Sequence, residues 1–195
     1  MNLPNQLTVA RFFLTIIFVA ALSSEWRFGY TTGLVLFIAA GVTDYFDGVI
    51  ARRRNLVTDF GKLMDPLADK IMIAAAFICL VPLHAFPAWA AIVIISREFL
   101  ITGLRLLAAS KGVVLPSERL GKHKTAWQIV TVIYFLVLLA LEEWERAGVI
   151  PATWLTPWPQ AWLYGGHTLL YLALALTLYS GFGYLWKHRA LIVST

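Results

Sequence analysis

Charged side chains are scarce in this chain of 195 residues: Asp, Glu, Lys and Arg make up 14% of it, where soluble domains carry about a quarter. A disordered chain is thereby excluded, because such chains are charge-rich and poor in apolar residues. Cysteine is nearly absent. The single one, Cys79, rules out an intramolecular disulfide scaffold and sits in an apolar run, as core filler does. Glycine shows no collagen-like period, and there is no internal repeat and no low-complexity tract. No interval is long enough for a separate soluble domain, so residues 1–195 are expected to form one domain. What fills the chain instead is apolar. Hydrophobic residues reach 59%, with 8 Trp and 12 Phe, and the mean hydropathy is +0.73, which argues against a soluble protein. The net charge of +5 would suggest nucleic acid in a soluble protein. Here it is read as membrane topology, with no nucleic-acid partner, because basic residues collect in cytoplasmic loops.

A helix needs about 20 mostly apolar residues to cross a bilayer. Six stretches meet or approach that length, at roughly 7–24, 28–51, 62–82, 86–109, 125–141 and 164–186. The expected fold is therefore an all-α integral membrane protein with six transmembrane helices. The first, fourth, fifth and sixth are the clearest by hydropathy. The first stretch lacks the clustered basic start of an export signal, since its only early charge is Arg11. It is expected to be retained, led by a short interfacial helix from Pro4 to Arg11. Arg52, Arg53, Arg54 and Lys62 lie between spans two and three. Lys111, Arg119, Lys122 and Lys124 lie between four and five, and Lys187 and Arg189 follow span six. Both termini are accordingly expected in the cytoplasm. The opposite side carries Glu25, Arg27, and the acidic stretch Glu142, Glu143 and Glu145 with Arg146. A Trp- and Pro-rich connection over about 142–163 follows, in which Trp144, Trp154, Trp158 and Trp162 read as an interfacial aromatic belt.

All five Asp residues fall between positions 44 and 69. Asp44 and Asp47 are three apart near the end of span two, and Asp65 and Asp69 are four apart at the start of span three. Helical spacing puts each pair on one face. The connector of about 53–60 is short, which makes the two helices antiparallel neighbours whose carboxylates can converge. A carboxylate at membrane depth costs a few kcal/mol, and four together repel one another unless cations neutralise them. Oxygen ligands favour hard divalent ions such as Mg2+, Mn2+ or Ca2+. The absence of His and Cys from the cluster argues against zinc. Four carboxylates can hold two Mg2+ ions, the arrangement that clamps phosphoryl oxygens in an in-line displacement. Gly48, Ala51 and Gly61 leave room for a phosphorylated ligand beside the backbone, where Arg52 can bind a phosphate bidentately. The plainer reading is that the glycines permit close helix packing.

The run Asp44-x2-Asp47-Gly48-x2-Ala51-Arg52-x8-Gly61-x3-Asp65-x3-Asp69 resembles the signature of the CDP-alcohol phosphotransferase family at every specified position, and the six-span layout is similar to that family's fold. The resemblance implies transfer of a substituted phosphate from a CDP-linked donor to an alcohol, with release of CMP and dependence on Mg2+ or Mn2+. It implies that Asp44, Asp47 and Asp65 hold metal, and that Asp69 accepts the attacking hydroxyl's proton and also touches metal. Asp44, Gly48, Ala51, Arg52 and Gly61 would line the site of the CDP donor. Members form homodimers, so a homodimer is implied as well.

A second set of charges addresses the acceptor. Arg97 and Arg105 lie eight apart in span four, and Gly121-Lys122-His123-Lys124-Thr125 precedes span five. Intramembrane arginine is usually functional, and Arg97, Arg105, Lys122 and Lys124 together can bind an acceptor phosphate. Alternatively, Arg97 pairs with Glu98 or with an Asp of the cluster, and the lysines only bias topology or touch anionic lipid. The opening Asn2-Leu3-Pro4-Asn5-Gln6-Leu7-Thr8 with Arg11, the stretch Arg97-Glu98 to Thr102-Gly103-Leu104-Arg105, and Gly121-Lys122-x-Lys124-Thr125 resemble one bacterial branch of the family. That branch joins CDP-diacylglycerol to sn-glycerol 3-phosphate. The resemblance therefore implies those two substrates, a surrounding of membrane lipid and the bacterial inner membrane, with the site on the cytoplasmic side. Inositol phosphate or phosphatidylglycerol as acceptor remains open, as does a cation-coupled transporter.

Overall fold

The computed structural model describes the backbone of residues 3–54, 59–113, 115, 119–151 and 159–189, and the side chains of 9–43, 67–68, 70–113, 115, 123–151, 162 and 164–189. Among these residues the chain is all helical, in the order α1 (Leu3–Ser23), α2 (Gly29–Arg54), α3 (Asp59–Leu80), α4 (Ala88–Ser110), α5 (Arg119–Arg146) and α6 (Pro159–Lys187). The helices coincide with the six apolar stretches and extend several of them by a turn or more.

Two differences from expectation appear at the ends of elements. First, Leu3–Ser23 is one continuous helix, so the separate N-terminal interfacial helix does not form. Nothing between Pro4 and Ser23 breaks it, since no Gly or further Pro intervenes. Arg11 is accordingly buried, not at a lipid surface. Second, Trp144 and Trp162 belong to α5 and α6. Trp144 donates its indole N–H to the Thr31 hydroxyl at 2.8 Å, which makes it a contact between helices. Trp154 and Trp158 lie outside the described residues.

Large apolar side chains face outward as well as inward. Small residues such as Ala40, Ala76, Ala90, Ala91, Ala108 and Ala173 are buried, together with the polar Thr15, Gln128, Thr131, Thr177 and Ser180. Phe13, Ile16, Ile17, Val35, Ile92, Phe99, Leu100, Tyr179, Phe182 and Trp186 point outward. So many large apolar side chains exposed along the helices suit a lipid surrounding, and the buried small residues let the helices approach closely. His123–Arg146 and Tyr164–Lys187, at 24 residues each, are long and apolar enough to cross a membrane, and the protein is a membrane protein. α4 is long enough at 23 residues but carries Arg97, Glu98 and Arg105 along its length, which explains why it is less clearly apolar than expected.

The core joins Phe18, Phe37, Phe77, Phe86 and Leu136. Over the described residues the main partner of both α2 and α3 is α1, while α5 packs on α2 and α6, and α4 on α6 and α3. The N-terminus of α2 is capped from another helix. The Glu143 carboxylate accepts from the backbone N–H of Tyr30 at 3.0 Å and of Thr31 at 2.9 Å, and from the Thr31 hydroxyl. It thereby satisfies donors that a helix start leaves open and complements the positive end of its dipole. α4 and α5 end alike: Gly112 and Gly148 take φ of +74° and +73°, and Val113 and Val149 donate back to Ala108 and Trp144 at 2.9 Å each. This is the glycine-terminated helix end that a side chain would strain.

Candidate active site

The backbone is helical through both halves of the aspartate run. α2 carries Asp44, Asp47, Gly48, Ala51 and Arg52, and α3 carries Gly61, Asp65 and Asp69. Their side chains, and that of Lys122 on α5, lie outside the described residues. Spacings of three and four on continuous helices give each Asp pair register positions on one face. Only residues 55–58 separate α2 from α3, so Arg54 and Asp59 are at most about 18 Å apart. As a donor set, four carboxylate positions with no His or Cys among them suit a hard divalent cation.

Next to this run the structure places a cavity of about 220 Å³ between α3, α4 and α5. Its polar lining is Lys70, Glu98, Arg105, Thr125 and Gln128, and Phe77, Ile94 and Phe99 supply apolar walls. Lys70 follows Asp69 directly, so the cavity begins one residue from the last carboxylate of the signature. The sequence reading had not singled out Lys70. The signal was available, since a lysine a third to half of the way along an apolar helix is itself unusual.

The four cations expected around an acceptor phosphate are divided by the structure. Arg105 lines the cavity. Its Nε donates to the Tyr184 hydroxyl at 3.1 Å, and its guanidinium lies 5.4 Å from the centre of that ring. Arg97 and Lys124 share Glu98. Arg97 reaches Oε1 at 3.2 Å, and the Lys124 ammonium pairs with the same oxygen. Arg97 also donates to Ser180 Oγ at 2.9 Å. Gly181 makes that approach fit, because a Cβ there would stand 2.9 Å from Arg97 Cγ. The pairing of Arg97 with Glu98, one of the alternatives the sequence left open, is what forms. Both arginines therefore turn toward α6, as their eight-residue spacing allows. Lys70 donates to the Thr102 hydroxyl, which itself donates to the Glu98 carbonyl at 2.7 Å. Gln128, buried beside the cavity, donates to Thr177 Oγ1 at 3.0 Å. Ser180 and Tyr184 had no signal in the sequence, since hydroxyl residues on an apolar helix are ordinary.

A larger cavity of about 750 Å³ lies at the other end of the bundle, bounded by Glu25, Arg27, Tyr30, Glu143 and Arg146 among others. It adjoins the start of α2 and the ends of α1, α3 and α5, so it is remote from the aspartate run and has no share in the site.

Sequence comparison agrees with the motif. The family model described as CDP-alcohol phosphatidyltransferase matches residues 1–192. A protein of Bacillus subtilis (strain 168) named CDP-diacylglycerol–glycerol-3-phosphate 3-phosphatidyltransferase is 46% identical over 148 residues, covering 70% of this chain and 77% of that protein. Proteins of the same name from Rickettsia felis and Pseudomonas fluorescens are 36% identical over 183 residues and 34% identical over 196. The first alignment spans 94% of this chain and 93% of its relative, the second 96% and 92%. With a match along nearly its whole length, a complete aspartate signature and a cation-lined cavity beside it, the chain belongs to the CDP-alcohol phosphatidyltransferase family.

Proposed function

We propose that this protein transfers the phosphatidyl group of CDP-diacylglycerol to sn-glycerol 3-phosphate, giving phosphatidylglycerophosphate and CMP. The observation that carries the reading is the adjacency of Asp69 and Lys70. It joins the aspartate signature of the family to a cavity lined by Lys70 and Arg105, as an acceptor with its own phosphate needs. The relatives' shared name specifies the same two substrates.

CDP-diacylglycerol enters sideways from the inner leaflet, its acyl chains in lipid. Gly48, Ala51 and Gly61 leave space for the cytidine and diphosphate, and Arg52 binds a phosphate. Asp44, Asp47, Asp65 and Asp69 are the residues that would hold Mg2+ or Mn2+, in all two ions. When bound, such cations withdraw charge from diphosphate oxygens and make CMP a better leaving group. Arg105 holds the acceptor phosphate from within the cavity. Arg97 and Lys124, fixed by Glu98, and Lys122 at the start of α5 add positive charge around it. The free primary hydroxyl of glycerol 3-phosphate gives its proton to the Asp69 carboxylate. Its oxygen attacks the phosphorus that bears diacylglycerol, the bond from that phosphorus to the CMP oxygen breaks, and CMP departs.

All six helices span the bacterial inner membrane in this reading, both termini are cytoplasmic, the site opens to the cytoplasm, and two copies assemble as a homodimer. Contacts at helix ends support alternating directions: the end of α5 caps the start of α2 through Glu143, and Arg97 and Arg105 meet Ser180 and Tyr184 in the same order along α4 and α6.

The test is direct. Purified protein receives CDP-diacylglycerol and Mg2+ with sn-glycerol 3-phosphate, inositol phosphate or phosphatidylglycerol offered separately, and CMP is measured. CMP is expected with glycerol 3-phosphate and is expected to vanish with EDTA and return with Mg2+ or Mn2+. Release with one of the other alcohols instead would reassign the acceptor. Ion flux into liposomes without CMP would make the protein a transporter.

A further inference from the structure

Glu98 is a carboxylate within an apolar helix that the aspartate signature does not include. Its side chain is 17% exposed, while those of Arg97 and Lys124, which it pairs, are 10% and 6% exposed. Both pairs fall on one oxygen, Oε1, and no described residue donates to Oε2. Glu98 also lines the cavity that holds Arg105 and Lys70. A carboxylate beside a phosphate site repels the phosphate, and a buried charge cluster is a weak stabiliser compared with apolar packing. Helix pairing alone therefore explains the residue poorly. A carboxylate with one oxygen fixed by two cations, lining a small cavity that also holds Arg105 and Lys70, is suited to accept from a hydroxyl.

We propose that Glu98 is a specificity-determining residue: Oε2 accepts a hydrogen bond from the secondary hydroxyl of the acceptor while Arg105 and Lys70 hold its phosphate. This rests on the function proposed above and adds the part of the acceptor that Glu98 reads. The cavity of about 220 Å³ matches a small polyol phosphate, being below the usual range for larger ligands. A site built to hydrogen-bond a hydroxyl discriminates strongly against an analogue without it, because a buried acceptor is then left unpaired. The Lys124 and Arg97 pairs hold the carboxylate in place.

The experiment compares sn-glycerol 3-phosphate with 3-hydroxypropyl phosphate, which keeps the phosphate and the attacking primary hydroxyl but lacks the secondary one. CMP release gives kcat/KM for both acceptors in the wild type, Glu98→Gln and Glu98→Ala. The ratio of the two values does not depend on how much of a variant folds. The wild type is expected to prefer glycerol 3-phosphate by about tenfold or more. Glu98→Ala is expected to bring the ratio to within about twofold of unity, with Glu98→Gln, which keeps an uncharged acceptor oxygen, in between. A wild-type ratio near one would overturn the proposal. So would equal losses on both acceptors in the variants, the mark of a purely structural role. Wild-type protein that releases no CMP with glycerol 3-phosphate would overturn the acceptor reading itself, a result visible before any variant is made.

Discussion

Asp69 and Arg105 divide the proposed chemistry between proton and phosphate, and their substitutions separate the two. Asp69→Asn keeps the side chain's size and removes its basicity. CMP release is expected to fall by about a hundredfold or more, the usual contribution of a general base, while the purified protein retains its helical circular dichroism. Turnover close to normal would remove Asp69 from that role. Arg105→Ala deletes a charged hydrogen-bond donor from the cavity. Its KM for glycerol 3-phosphate is expected to rise about ten- to a hundredfold with kcat much less affected, and an unchanged KM would take Arg105 out of the acceptor site. The placement of the aspartate pairs on two helices was legible from spacing alone, because a helix converts intervals of three and four into a shared face. The roles of the four acceptor cations were not. Arg97 and Lys124 have the same charge as Arg105, and only the structure shows that both pair with Glu98.

Among the elements, α2 depends on a residue more than a hundred positions away. Glu143, 7% exposed, caps its first turn, and Trp144 braces Thr31 in the same turn. Glu143→Ala leaves two backbone N–H groups without their acceptor and is expected to cost about 2–3 kcal/mol. The cost would be read as a lower unfolding midpoint in detergent, with a smaller drop for Glu143→Gln. Since α2 carries Asp44 and Asp47 at its far end, a loosened first turn is also expected to reduce turnover. In the sequence, Glu143 is one acid in an acidic stretch of three, with nothing to distinguish it from Glu142 or Glu145. The extents of the helices were legible to within a few residues, because apolar length is a local property. The separate interfacial helix expected from Pro4 to Arg11 does not form, because an unbroken helix carries that arginine into the packed interior.

At the scale of the whole molecule, the exposed apolar belt and the distribution of basic residues predict an orientation. In a Cys79→Ser background, cysteines placed at Asn2 and Ser194 are expected to react with a membrane-impermeant thiol reagent only in inside-out vesicles. One placed at Val149, 61% exposed after α5, is expected to react only in right-side-out vesicles. Labelling of the termini from outside would reverse the topology and put the aspartate run on the wrong side for a cytoplasmic acceptor. The sequence by itself determined that the chain is apolar and helical, where its helices run, and that four of its five Asp residues fall in two helical pairs. These follow from composition and near-neighbour spacing. The tertiary structure decided that Lys70 and Arg105 share a cavity, that Glu98 takes two cations, and that α5 caps α2. Each of these joins helices far apart in the chain, and their rotation about one another is set by where small residues let them close together.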